Sequence, residues 1–213
     1  MSDHYVITIA RGFGSGGKTI GINLSEELGI PCYEDQLLRM ASDYSGISEQ
    51  LFAQVDEKLR GSYIKKKLAG FPNINRIAQP TDKKFVSDDN LFSIQAEIIR
   101  QLAESESCII VGKCGNLALK DHPNVVSVFV EADMDYCIQN VKERLCVDDA
   151  EAERMILKTD KYRSDYYKYY SGGKEWKDPK AYDLILNSGR IGMDKCAQVI
   201  KDFVKIKLGV DQI

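Results

Sequence analysis

The segment from Gly12 to Thr19 constrains this chain more than any other, because it reads Gly-Phe-Gly-Ser-Gly-Gly-Lys-Thr and matches G-x-x-x-x-G-K-[ST]. An apolar, β-rich run over residues 5–10 precedes it, and a helical pattern begins at Lys18. Glycine backbones let amide N–H groups converge on phosphate oxygens, and the helix N-terminus adds partial positive charge. The segment therefore predicts a phosphate-binding loop for a nucleoside triphosphate whose γ-phosphoryl group is transferred.

The residues of this loop have different expected roles. Backbone amides would hold the phosphates, Lys18 would reach the β- and γ-phosphates, and the Thr19 hydroxyl would join the Mg²⁺ shell. The cofactors expected are ATP and Mg²⁺. The predicted nucleotide-binding residues are Gly12, Gly14, Ser15, Gly16, Gly17, Lys18 and Thr19.

Apolar strand-like runs alternate with helical patterns along the 213 residues. Residues 108–112 and 125–130 resemble strands buried on both faces, and shorter strands are expected at 30–33 and 182–187. Such alternation predicts one α/β domain, residues 1–213, with a mostly parallel sheet. Helices are expected at about 18–28, 35–44, 48–60, 90–105, 113–121, 133–145, 148–170 and 192–208.

The segment 61–88 differs from the rest, because it has no sustained hydrophobic period and contains Pro72 and Pro80. We expect a long irregular insertion. Its basic run, Lys65–Lys67, is interpreted as part of a solvated loop, and a partner-docking element is the alternative.

The composition narrows the class of protein. The formal net charge of −3 argues against a dedicated nucleic-acid binder, and the longest apolar run is too short to span a bilayer. Six cysteines lack any C-x-x-C pair, so we expect free thiols, with neither a metal cluster nor a disulfide. With no signal-peptide pattern after Met1, a cytoplasmic protein is expected.

Five stretches, in order along the chain, resemble the cytidylate kinase-like family: residues 9–18, 28–35, 108–114, 160–167 and 182–187. The resemblance implies a three-layer P-loop kinase fold, with a five-stranded parallel sheet between helices. It also implies a helical lid at about 148–175 and a monophosphate-binding insertion that contains the 61–88 segment. The partner would be a small-molecule phosphate acceptor, and the chain would be a monomer or a homodimer.

The resemblance also implies site residues beyond the loop. Asp35 and Arg39 would lie on the acceptor side, Lys113 at the end of the third buried strand, and Arg163 on the lid. Asp35 could instead serve as a helix N-cap. Lys113 stands where the family has arginine, and lysine lacks the bidentate fork of a guanidinium.

Lys18, Lys161 and Arg163 are the candidate catalytic cations, because phosphoryl transfer needs positive charge around the phosphates. Arg154, Lys158 and Lys161 share one helical face, whereas Arg163 lies well round the helix from them. Either the helix breaks near residues 159–160 or some of these cations face water. The nearby aromatic side chains are interpreted as packing of this helix onto the body. They are Tyr162, Tyr166, Tyr167, Tyr169, Tyr170 and Trp176.

Three functions stay open at this point. The first is an ATP-dependent kinase of a nucleoside monophosphate, with CMP or dCMP the first candidates, and the second is a kinase of another small molecule. The third is a nucleotide-binding regulatory protein with little catalysis. A GTPase is disfavoured, because the chain lacks an Asn-Lys-x-Asp motif and no acidic residue closes the 108–112 strand.

Overall fold

A single parallel sheet runs through the part of the chain that the computed structural model describes, residues 4–60, 66 and 70–209. Its five strands lie in the order β2-β3-β1-β4-β5, and all four neighbouring pairs are parallel. The strands are β1 Val6–Arg11, β2 Cys32–Tyr33, β3 Cys108–Val111, β4 Val125–Glu131 and β5 Leu184–Asn187.

Helices cover both faces of this sheet, because two separate apolar clusters flank it. One cluster joins the sheet to side chains such as Leu37, Phe52 and Leu91. The other joins it to Ile20 and Ile200. The helices are α1 Gly17–Leu28, α2 Gln36–Ser45, α3 Glu49–Val55, α4 Asp88–Ser105, α5 Gly115–Ala118, α6 Met134–Leu145, α7 Asp149–Tyr170, α8 Ser188–Ile191 and α9 Met193–Leu208. A 3₁₀ turn, Pro179–Ala181, precedes β5. The predicted three-layer α/β fold is confirmed.

None of the helices within the described ranges is both long and apolar enough to cross a membrane.

Two helices are shorter than the sequence pattern predicts. The helix expected over 48–60 begins after Ser48, whose hydroxyl accepts the Gln50 N–H, but it ends at Val55. Glu57 then takes a left-handed φ of 50°, which no helix interior allows. Likewise, the helix expected from residue 113 begins at 115, because Lys113 and Cys114 have φ values of 54° and 52°.

Helix α7 is continuous through residues 159–160, so the predicted alternatives are resolved in favour of cations that face water. Arg154 pairs with Glu151, and its side chain is 61% exposed. The expected packing of the tyrosines is confirmed for Tyr166, Tyr167, Tyr169 and Tyr170, which are buried, as is Trp176. The Tyr170 ring stacks on Phe92 of α4 with centroids 3.8 Å apart. Tyr162 is the exception, since 38% of it is exposed.

Within the segment predicted to be irregular, residues 70–87 contain neither helix nor strand, and residue 88 begins α4. Lys65 and Lys67 lie outside the described residues. Lys66 donates to Asp88 at 2.6 Å, and its ammonium lies 5.2 Å from the centre of the Tyr169 ring. This lysine therefore contacts the ends of α4 and α7.

Candidate active site

The predicted phosphate loop connects the end of β1 to the start of α1. Hydrogen bonds to β4 and to Ser188 hold it in place. The Gly12 N–H donates to the Val130 carbonyl of β4 at 3.0 Å. The Ser15 hydroxyl is buried, 2.9 and 3.0 Å from the carbonyl oxygens of Gly12 and Val130. The Ser188 hydroxyl donates to the Ser15 carbonyl at 2.5 Å. Any contact of Ser15 with phosphate must therefore come from its backbone.

Gly14 occupies a position that no other residue fits, because its φ is 86° and its surroundings are close. A Cβ atom there would lie 2.7 Å from the Cys137 carbonyl oxygen in α6. The Gly14 carbonyl accepts the Asn140 side-chain N–H at 2.9 Å, so the loop and α6 are in direct contact. The glycines of the motif therefore permit both the turn and its packing.

Lys18 and Thr19 lie in the first turn of α1 and are exposed. The Lys18 ammonium forms an ion pair with Glu34 and lies 3.6 Å from Asp35 Oδ2. The hydrogen bond to Glu34 raises the pKa of Lys18, so the side chain stays charged. Asp35 takes the N-cap position of α2, yet its side chain makes no cap hydrogen bond and approaches Lys18 instead.

These features fit a triphosphate and its magnesium ion. Backbone amides at a helix N-terminus, an exposed ammonium and an exposed hydroxyl are the groups that would hold ATP and join the Mg²⁺ shell. Lys18 and the loop glycines would bind the phosphates, and the Thr19 hydroxyl would be an oxygen ligand of the magnesium ion.

A buried ion network lies beside the loop, centred on Glu57. Its Oε1 lies 2.6 Å from Arg11 Nη1, and its Oε2 lies 3.0 Å from Arg163 Nε. Arg11 Nη2 also pairs with Glu34 at 3.0 Å, and Arg163 donates to the Arg11 carbonyl at 3.2 Å. Burial acts to raise the pKa of Glu57, but the neighbouring charges of Arg11, Arg163 and Lys113 outweigh it and hold that pKa well below its ordinary value. Glu57 is therefore an anion held among cations.

Lys113 belongs to the same network, through two different atoms. Its backbone N–H donates to Glu57 Oε1 at 3.2 Å, and its buried ammonium forms an ion pair with Asp56. Burial raises the pKa of Asp56 despite that pair. Lys113 lies two residues after β3 and has a left-handed backbone. Its N–H faces Glu57, and its side chain faces Asp56.

Asp160 connects helix α7 to the phosphate loop. Its Oδ1 accepts the Phe13 N–H at 2.8 Å and lies 4.0 Å from Arg163 Nη1. Burial raises the pKa of this carboxyl, although the Phe13 hydrogen bond opposes the shift. One loop amide is thus already bonded to a carboxylate of α7.

Three of the predicted cations, Lys18, Lys113 and Arg163, lie on one chain of contacts. Lys18 and Arg11 share Glu34, and Arg11, Arg163 and the Lys113 N–H share Glu57.

Two other predicted residues are placed differently. The Lys161 side chain is 72% exposed and pairs with Asp165 at 2.9 Å, so it faces solvent on α7. Arg163 follows only two residues later but points inward, because two helical positions differ by about 200°. The shared role expected for Lys161 and Arg163 is therefore not supported by their positions. Arg39 lies exposed on α2.

Sequence reasoning missed Arg11, Glu34, Glu57 and Asp160. A local signal existed for Arg11, which ends an apolar strand directly before the loop, and for Glu34, which precedes Asp35 after β2. Glu57 carries no such signal, because its partners Arg11 and Arg163 are 46 and 106 residues away in the sequence.

The order of the parallel sheet and the phosphate loop after β1 define a P-loop kinase-like α/β protein. The chain belongs to the cytidylate kinase-like family, whose family model matches residues 6–190. A search of curated proteins finds no match.

Solved structures share this fold. An uncharacterized protein from Eubacterium ventriosum ATCC 27560 is similar with a TM-score of 0.69 and 26% identity, covering 95% of this chain and 99% of that one. Shikimate kinase from Bacteroides thetaiotaomicron is similar with a TM-score of 0.50 and 13% identity, covering 94% and 98%. At that identity the second similarity concerns the fold alone.

Proposed function

We propose that this protein transfers the γ-phosphoryl group of ATP to a nucleoside monophosphate, with CMP or dCMP the first candidates. One observation carries the proposal: Lys18 of the phosphate loop is joined by shared carboxylates to Arg11 and Arg163, and the Lys113 backbone N–H donates to the same Glu57. Phosphoryl transfer depends on cations placed around the phosphates and on an aligned acceptor. Membership of the cytidylate kinase-like family supports the same reaction class.

The chain's own residues have distinct proposed roles. The loop amides and Lys18 bind the triphosphate, and Thr19 holds the magnesium ion. When bound, ATP supplies the phosphoryl group. Arg163 brings positive charge from α7, which acts as the lid of the site within one domain. Its hydrogen bond to the Arg11 carbonyl joins α7 to the residue directly before the loop.

Asp35, Arg39 and Lys113 are proposed to serve the acceptor. Asp35 is exposed beside Lys18 and is free of any cap hydrogen bond, so it is able to accept from an acceptor hydroxyl. Arg39 lies one turn further along α2, on its exposed surface. Lys113 contributes a point charge whose partner, Asp56, must exchange for the acceptor.

The test is turnover of ATP with CMP by the Lys18→Ala variant. Loss of the Lys18 ammonium is expected to abolish formation of ADP and CDP. The fold should survive, because a half-exposed ion pair contributes only about 0–1 kcal/mol. Lys120→Ala is the matched control, since Lys120 is exposed and pairs only with its sequence neighbour at 3.9 Å among the contacts described. Full activity in Lys18→Ala, or no turnover of any common monophosphate by the wild type, would contradict the proposal.

A kinase of another small molecule is the second candidate, and the acidity of the site favours it. Five carboxylates accompany four cations in the network, and carboxylates suit a hydroxyl-bearing acceptor better than a dianionic phosphate. They are Glu34, Asp35, Asp56, Glu57 and Asp160. A panel of monophosphates, nucleosides and sugar-like acids, monitored by ADP release, separates the two candidates. Tight ATP binding with no release of ADP for any acceptor would favour the regulatory protein instead.

A further inference from the structure

The Glu57 carboxylate is bound as an oxyanion ligand is bound. Three donors from three separate segments converge on its two oxygens: Arg11 Nη1 at 2.6 Å, the Lys113 N–H at 3.2 Å and Arg163 Nε at 3.0 Å. Both arginine side chains are nearly buried, with 8% and 12% exposed. Charge-assisted hydrogen bonds from guanidinium groups and a backbone amide are the usual contacts of a bound phosphate or carboxylate.

Regular secondary structure does not hold Glu57 in this position. Helix α3 ends two residues earlier, at Val55, and residues 58–60 belong to no helix or strand. Its φ of 50° costs a non-glycine residue about 1–2 kcal/mol. The ion pairs therefore maintain a backbone conformation that is unfavourable by itself.

No second oxyanion fits beside these arginines while Glu57 is present. The adjoining cavity, lined in part by Arg11, Glu57 and Arg163, has a volume of about 20 Å³. That is room for about one water molecule and is too small for a phosphate group. An external oxyanion can reach both arginines only after the Glu57 carboxylate has left.

We propose that Arg11, Arg163 and the Lys113 N–H form an oxyanion-binding site, and that Glu57 is its internal occupant, exchanged for a phosphate group of a substrate. The inference rests on the proposed function for the source of that phosphate. It is either the phosphate of the acceptor or the γ-phosphate of the donor. The exchange replaces one anion by another, so the buried arginines keep a partner throughout.

The Glu57→Gln variant tests this site with inorganic phosphate as the probe and without any turnover. The amide cannot compete as an anion, so phosphate should bind about tenfold or more tightly than to the wild type by isothermal titration calorimetry. Phosphate should also raise the thermal midpoint of this variant more than that of the wild type. Glu49→Gln is the matched control, because it removes one exposed carboxylate from α3, the helix that precedes Glu57. Adding Arg11→Gln to Glu57→Gln should abolish the gain.

Equal phosphate affinity in wild type, Glu57→Gln and Glu49→Gln would overturn the proposal and leave Glu57 as a structural ion-pair partner. If Glu57→Gln folds poorly, Glu57→Asp keeps the charge but shortens the reach, and phosphate should stabilise it more than the wild type. Failure of phosphate to stabilise either variant also refutes the site.

Competition identifies the source of the phosphate. Displacement of the bound phosphate by CMP assigns the site to the acceptor, and displacement by a non-hydrolysable ATP analogue assigns it to the donor. Displacement by neither refutes its link to phosphoryl transfer. Because these measurements need no catalysis, a chain without CMP kinase activity would still give a clear result.

Discussion

Replacing Gly14 by alanine tests how closely the phosphate loop is packed. The new Cβ atom would lie 2.7 Å from the Cys137 carbonyl oxygen and 3.0 Å from the Cys137 Cα. Both atoms are backbone of α6, so no side-chain rotation relieves the contact. Gly29, which ends α1 with a φ of 65°, is the matched control, because a Cβ atom there meets nothing within 4 Å.

The two substitutions separate a conformational cost from a steric cost. A left-handed backbone costs alanine about 1–2 kcal/mol, and this applies at both positions. Overpacking against α6 adds about 1–3 kcal/mol at Gly14 alone. At about 2–4 °C per kcal/mol for a domain of this size, Gly14→Ala should melt about 2–12 °C below Gly29→Ala.

Thermal unfolding followed by circular dichroism measures this difference, and ATP titration gives a second, independent result. Gly14→Ala should lose ATP binding, because relief of the clash moves the loop or α6. Gly29→Ala, twelve or more residues beyond the loop glycines, should keep it. Equal midpoints for the two variants, with unchanged ATP affinity in Gly14→Ala, would refute the packing described for the loop.

Three further predictions follow from single contacts. Arg163→Ala should reduce turnover by about 10³-fold, whereas the exposed Lys161→Ala should change it by less than about twofold; similar losses in steady-state kinetics would contradict the placement of α7. Burial acts to raise the pKa of Asp88, but the hydrogen bonds from Lys66 and Arg60 outweigh burial, so the pKa is lower than its ordinary value. The ion pairs of Asp88 therefore stabilise the fold at pH values above the ordinary carboxyl pKa. Asp88→Asn should therefore cost about 1–3 kcal/mol near pH 7. In denaturant titrations that cost should shrink as the pH falls below 3.8, and a constant difference would be inconsistent with it. Tyr170→Phe should be neutral or stabilising, because the buried Tyr170 hydroxyl has no hydrogen-bond partner among the described residues; a loss above about 1 kcal/mol in the same titrations would show a missing partner.

The strands and most helices could be predicted because their signals are local. A few consecutive residues are enough to predict the strands β3 and β4 from their apolar runs. The same holds for the loop after β1, which is rich in glycine. The short helix α8, Ser188–Ile191, was missed because four residues carry no period. The one sequence signal for α8 was Asn187, whose side chain accepts the Arg190 N–H at the start of the helix. The helix places the Ser188 hydroxyl against the phosphate loop, where it donates to the Ser15 carbonyl.

The end of α3 could not be predicted, because partners distant in the sequence decide it. The pattern over 48–60 remains compatible with a helix, and Glu57 would lie on it. In the fold, Arg11 and Arg163 present two buried guanidinium groups to that point. Arg11 keeps Glu34 as a second partner, but Arg163 would retain only Asp160, at 4.0 Å. Removing the Glu57 carboxylate from these buried guanidinium groups costs several kcal/mol, more than one left-handed residue, so the chain leaves the helix to supply it.

Because Asp56 and Glu57 are adjacent, the ion pairs of Lys113 and Arg163 depend on one backbone segment. Asp56 holds the Lys113 ammonium, and Glu57 holds Arg163 together with the Lys113 N–H. A movement that removes Glu57 from this position would also move Asp56, since only one peptide unit joins them. The Lys113 ammonium and Arg163 would therefore lose their carboxylate partners together. A lysine at position 113 suits such an exchange, because a point charge can change partners without the paired geometry that a guanidinium fork requires.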